Sequence, residues 1–213
     1  KVYTIAFDLK EPTPGHYQLL MDLIYRSGAP RQIKVTVNGR RGIFPVRPAA
    51  KKSNDGEEAN SMLLAQQHLV VPIDGSWLKP KDNKITVTPL GLGGMDYDAL
   101  ALERAADRSV VARELKLEPT IFFKNARGGL AEICQLEIPF AKRFAHGNAD
   151  VQVGKQKVTA SFSSGEYDFG LWIQPVEIPA STPGSAATVK VELDGTQLNA
   201  SQEFKPAKQW KVF

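Results

Sequence analysis

The chain has 213 residues, 42% of them hydrophobic and 23% charged, with 17 Gly and 14 Pro spread along it. Such proportions are those of globular chains and exclude wholesale disorder; at roughly 100–200 residues per domain they fit one or two domains. The net charge of +4 favours polyanions, but the basic residues stand in pairs (Arg40–Arg41, Lys51–Lys52) rather than stripes, so no nucleic-acid partner is expected.

Residues 2–10, VYTIAFDLK, put Tyr3, Ile5, Phe7 and Leu9 on one face and Val2, Thr4, Ala6 and Asp8 on the other. That period of two predicts a half-buried strand. EPTPG (11–15) is a turn. HYQLLMDLIYR (16–26) has the apolar content of a helix, but its turn-flanked, strand-rich setting favours a strand. QIKVTVNG (32–39) alternates and ends in Asn-Gly, a hairpin signal, so GIFPV (42–46) reads as the returning strand. Residues 47–61 are polar and aperiodic and predict a long exposed loop, functional or mobile. MLLAQQHLVVPI (62–73), KITVTPL (84–90) and MDYDALALER (95–104) complete seven or eight strands, the pattern of a jelly-roll sandwich.

RAADRSVVAR (104–113) lacks strand periodicity, and 106–115 is the expected linker. A second series of strands is expected at 116–125, 130–140, 149–154, 157–163, 169–178, 187–195 and 202–213. Seven short strands in about 100 residues predict an immunoglobulin-like sandwich, without a Cys–Trp–Cys framework. The fold class is therefore all-β: a jelly roll at 1–105, then an Ig-like sandwich at 116–213. Cys134 is the only cysteine, which excludes an intramolecular disulfide and a cysteine zinc site; in LAEICQLEI it reads as a small core residue. No run approaches ~18 apolar residues, so no membrane partner is expected.

IKVTVNG, HLVVPIDGSWLKPKDNKITVTPL and MDYDALALERA together resemble the carbohydrate-binding-module-like third domain of family 4 polysaccharide (rhamnogalacturonan) lyases. The shared elements are Val35–Gly39, Val71–Ile73, Leu78, Asn83, Ile85–Thr88 and Asp98–Glu103, across about half the chain. The resemblance implies a galactose-binding-like jelly roll. At the other end, KPAKQWKVF (205–213) is similar to the run into the first strand of a family 38 (α-mannosidase-like) glycoside hydrolase domain, matching at Pro206, Lys208, Trp210 and Phe213. It implies a catalytic domain C-terminal to this chain, which would be the non-catalytic part of a secreted or periplasmic carbohydrate-active enzyme.

The residues themselves offer little chemistry. His16, His68 and His146 lack metal-binding spacing, and neither a nucleophile elbow nor a phosphate loop occurs. Glu57–Glu58 and Asp96–Asp98 are the paired carboxylates. Asp96 and Asp98, two apart on a predicted strand, point the same way; such a pair can repel, raise one pKa or hold a hard cation. The lyase-like resemblance makes that cation a structural calcium, with no other cofactor required; the alternative is an exposed strand face.

Sugar binding calls for aromatic faces and planar polar groups. Trp77, in a turn beside Lys79 and Lys81, is a candidate stacking platform or a plug for the end of the sandwich. Tyr97 is a second aromatic candidate. His68 matches a position that is polar in lyase-like modules. Arg47, with Arg40, Arg41, Lys51 and Lys52, flanks the long loop and could meet a uronate-rich chain or simply solvent. Trp172 reads as core or interface, and Trp210 as packing against the next domain. Asn199-Ala-Ser201 has the N-glycosylation pattern. Three functions remain: glycan association, a ligand-free scaffold, and, least supported, lyase or glycosidase activity in the chain itself.

Overall fold

The computed structural model describes residues 2–10, 14–26, 31–47, 65–91, 94–105, 114–126, 129–180, 184–207 and 211–212. The expected loop basic residues Lys51 and Lys52, the pair Glu57–Glu58, Lys208, Trp210 and Phe213, and most of the expected linker lie outside them. The chain divides into two compact units, 1–112 and 113–213. Both are built of β-strands.

The first unit holds β1 (Tyr3–Phe7), β2 (His16–Arg26), β3 (Gln32–Val37), β4 (Arg40–Pro45), β5 (Ala65–Asp74), β6 (Asn83–Leu90) and β7 (Gly94–Arg104). Its strands form two layers, β1-β6-β3-β4 and β5-β2-β7. The antiparallel pairs are nested: β3 meets β4, β2 meets β5 around them, and β1 meets β6 outermost. Successive nested pairs fall in alternate layers, which is the winding of a jelly roll. The alternation read in the sequence sets the core. Ile33, Val35 and Val37 of β3 are fully buried, as are Leu69 and Val71 of β5 and Met21 of β2. The Asn38-Gly39 turn has positive φ at both residues, 47° and 92°, as a type I′ hairpin requires.

The second unit holds β8 (Lys116–Ala126), β9 (Gly129–Phe140), β10 (Gly147–Val153), β11 (Gln156–Phe162), β12 (Phe169–Pro179), β13 (Ser185–Leu193), β14 (Thr196–Phe204) and β15 (Lys211–Val212). Its layers are β12-β9-β8-β15 and β11-β10-β13-β14. Antiparallel strands divided between two layers in this way make an Ig-like sandwich. The strand expected at 202–213 is instead two. β14 begins at Thr196 because Asp194-Gly195, with φ of 44° and 87°, turns the chain straight back on β13. β15 then pairs in parallel with β8.

Side chains lock this second unit. Gln202 of β14 accepts the Leu117 N–H (2.9 Å) and donates to the Leu117 carbonyl (2.7 Å), so one amide serves β8 as a neighbouring strand would. Asp194 accepts the N–H groups of Ala145 and His146, both at 2.8 Å. Those two bonds hold its carboxyl below the usual carboxylate range. Cys134 is buried, as its sequence context predicts. Burial, with the nearby Glu132 charge, pushes its thiol up to about 12.

Glu132 itself points inward from β9, 1% exposed, and its Oε1 accepts the Ala207 N–H at 3.1 Å. Burial raises its carboxyl pKa, and the Ala207 bond offsets this only in part. A raised folded-state pKa adds stability that is complete below the unfolded carboxyl value, about 4.3, and lost as pH rises through the folded value. Glu132→Gln keeps an acceptor for Ala207 and carries no charge. Its melting temperature, compared with that of the parent, should therefore move in the variant's favour between pH 4 and pH 7. A difference that stays constant over that interval would refute this assignment.

Candidate functional site

The six residues singled out in the sequence lie in the first unit, and the fold separates them. Trp77 closes a 3₁₀ turn (Gly75–Trp77) after β5, capped by Asp74, whose Oδ1 accepts the Ser76 N–H at 2.8 Å. Its indole is half-buried. Leu78 beside it is buried and is the apolar residue that enters the core at this end. His68 lies nine residues before Trp77, six of them along β5 to Asp74, about 20 Å of extended chain. It is exposed, and its Nδ1 stands 2.7 Å from Oδ1 of Asp22, its register partner on β2. An exposed pair of this kind contributes no more than about 1 kcal/mol.

Arg47 follows β4 at the end opposite Trp77. Its backbone N–H donates to Gln67 Oε1 at 2.8 Å, and Gln67 Nε2 donates to the Pro45 carbonyl at 3.4 Å. Tyr97 is near that same end, since Met95 lies abreast of Tyr25, which lies abreast of Ala65. One sugar ring therefore cannot touch Trp77 and Tyr97 together. Tyr97 is 47% exposed and meets Tyr3 of β1 edge-to-face, with ring centroids 5.4 Å apart. The Tyr3 hydroxyl donates to the Met95 carbonyl and lies 3.4 Å from Asp96 Oδ1. Desolvation, with the Asp96 charge second, raises the Tyr3 pKa and keeps the hydroxyl a donor. Tyr3, Tyr97 and Asp96 thus form a seam where β1 of one layer meets β7 of the other.

The expectation that Asp96 and Asp98 share a face meets a β-bulge. Leu23 pairs with Tyr97 and Asp22 with Ala99, leaving Asp98 as the extra residue between the two registers. Strict alternation ends there. No group of three or more His, Cys, Asp or Glu side chains that could hold a metal occurs among the described residues. Calcium takes six to eight oxygens, and this pair by itself falls short of a cage.

Sequence reasoning did not find a recess of about 370 Å³ lined by Gly15, His16, Arg104 and Ala105. It lies at the Trp77 end, where the Gly75 N–H donates to the Gly15 carbonyl at 2.8 Å. Nor did it find why Trp77 sits where it does. The buried Asn83 side chain accepts from Asn38 Nδ2 and from the Lys79 N–H, both at 2.8 Å, and donates to the Lys79 carbonyl at 2.6 Å. Asn38 Nδ2 also donates to the Trp77 carbonyl at 2.8 Å, and Asn38 Oδ1 accepts the Lys84 N–H at 2.8 Å. Two amides therefore fix three turns.

In the second unit Trp172 is half-buried and stacks on Phe162, with centroids 6.5 Å apart. Asn199 is exposed in the middle of β14. Ile121 and Phe122 of β8 are 46% and 41% exposed.

No protein-family model matches the chain, and no curated protein does. Among solved structures the chain is similar to a GH2 β-galacturonidase from Eisenbergiella tayi bound to galacturonate, and to a GH2 β-galacturonidase from the same organism bound to glycerol. Each match has a TM-score of 0.29 and 11% identity, over 95% of this chain and 35% of the other. The chain thus spans about a third of the length of these enzymes.

Proposed function

We propose that the first unit is a non-catalytic carbohydrate-binding module, and that the second positions it within a larger glycan-degrading enzyme. The observation that carries this reading is the seam around Tyr97. The Tyr97 ring, 47% exposed, meets Tyr3 edge-to-face, and the Tyr3 hydroxyl lies 3.4 Å from the Asp96 carboxylate. The apolar C–H face of a sugar stacks on such a ring, and a carboxylate accepts from its hydroxyls. Binding of this kind is shallow and breaks no bond. A secreted or periplasmic site of action belongs to the same proposal, as do a glycan partner and a catalytic domain outside the chain.

A ligand-free scaffold is the second reading, favoured by the exposed Ile121 and Phe122 on β8. Calorimetry against pectic, mannan and other plant or bacterial glycans separates the two. Saturable heat with one glycan class should weaken at least about tenfold in Tyr97→Ala, the cost of truncating an anchor residue, and should change little in His68→Ala. Absence of heat with every glycan would leave the scaffold reading.

A further inference from the structure

We propose that the recess lined by Gly15, His16, Arg104 and Ala105 receives the carboxylate of an acidic sugar, a hexuronate, with Arg104 as its anchor. The inference rests on the glycan reading and narrows its ligand class. At about 370 Å³ the recess is at the small end of ligand sites, which run from about 300 to 1,000 Å³. Arg104 is exposed and makes no ion pair among the described residues. A guanidinium fork left in this state matches a carboxylate with two parallel hydrogen bonds.

The neighbouring acids do not occupy it. Glu103 precedes Arg104 on β7 and so takes the opposite face; its Oε2 accepts from Gln18 Nε2 at 3.4 Å. Asp74, abreast of His16, is engaged as the cap of Ser76. The walls are set by backbone bonds, Gly75 N–H to the Gly15 carbonyl and Ala105 N–H to the His16 carbonyl, both at 2.8 Å. Gly15 has φ of 142°, which L side chains rarely adopt, and its Cα lies against the Arg104 guanidinium, where even a Cβ would make only ordinary contact at 3.7 Å. The imidazole of His16 supplies a second polar group, and the Ala105 methyl an apolar contact for the ring.

Nuclear magnetic resonance of the full chain tests this, reading the Arg104 side-chain N–H signal. The probes are sodium glucuronate, glucose and inorganic phosphate. Glucuronate should shift the signal saturably, with affinity at least about tenfold above glucose, as charge-assisted bonds imply. The accompanying shifts of the His16 and Ala105 backbone amides should vanish in Arg104→Gln, and they and the Arg104 signal should persist in Tyr97→Ala. An equal response to phosphate would reduce the recess to a bare anion site and overturn the uronate assignment. An equal response to glucose, or none to glucuronate, would overturn it too. If Tyr97→Ala abolishes neutral-glycan binding while glucuronate leaves Arg104 unmoved, the module stands and the recess assignment falls. If Arg104 responds but no glycan depends on Tyr97, the recess stands and the seam falls.

Discussion

Replacing Asn83 by alanine should lower the stability of the first unit by about 2–4 kcal/mol, among the largest effects expected of one substitution in this chain. Asn83 is 1% exposed, and its side chain makes three hydrogen bonds, to Asn38 and to both backbone groups of Lys79. Truncation orphans those groups at about 1–3 kcal/mol for each that water cannot reach. Lys79 is exposed, so solvent offsets part of the loss. The remainder falls on Asn38, whose second bond from the same nitrogen holds the Trp77 carbonyl. Urea unfolding of the full chain should show an earlier first-unit transition, with Lys84→Ala, exposed on the same turn, close to the parent. A loss below about 0.5 kcal/mol, the range of ordinary surface changes, would mean the two amides are incidental.

In the second unit, Gly147→Ala should cost about 1–3 kcal/mol, the usual penalty for overfilling a packed site. Gly147 is the register partner of Phe162 on β11. A Cβ at 147 would meet Phe162 Cε2 at 2.6 Å and Phe144 Cε2 at 2.9 Å, closer than real carbons approach. The rings cannot readily retreat. Phe144 sits edge-to-face between Phe140 and Phe162, at 5.4 and 5.8 Å, and Phe162 stacks on Trp172. An alanine that merely stiffened the unfolded chain would stabilise by about 0.4–1 kcal/mol, so the sign separates the two effects. The fluorescence of Trp172 should report the displaced ring during the same unfolding experiment. A stabilised variant with unchanged emission would show that the rings move freely.

Most of the strands were legible in the sequence because each needs only its own alternation. β3 is the clearest case, with Ile33, Val35 and Val37 buried and Asn38-Gly39 turning the chain. Features that depend on a partner strand were not legible. The bulge at Asp98 exists only relative to Asp22 and Leu23 on β2, so counting by two along β7 put Asp96 and Asp98 on one face. β14 ends and β15 begins inside a stretch that reads as one strand because Gln202–Phe204 pair with β13 and Lys211–Val212 with β8, partners that the local pattern does not name. The candidate sites divide in the same way. Tyr97 was visible as an aromatic residue on a strand. Asn38 and Asn83 were visible as motif residues, but nothing local reveals that they bond each other. His16 and Arg104 are far apart in the chain, and the recess between them exists because β2 and β7 pair and Gly75 meets Gly15.

The nested winding of the first unit also sets an order in time. Ile33 finds Phe44 across a short hairpin, Met21 must find Leu69, and Tyr3 must find Val87 from almost the whole length of the unit. Closing each wider loop costs more entropy unless the inner pair has already formed. The jelly roll is thereby disposed to zip from the β3–β4 hairpin outward, with β1 and the Tyr3–Tyr97 seam arriving last. In the second unit the adjacent hairpins β8–β9, β10–β11 and β13–β14 are the short closures, and β15 must find β8 from the far end of the unit, so that pairing should come after the hairpins. In a nascent or refolding chain the candidate sugar-stacking face would then be among the last surfaces to exist.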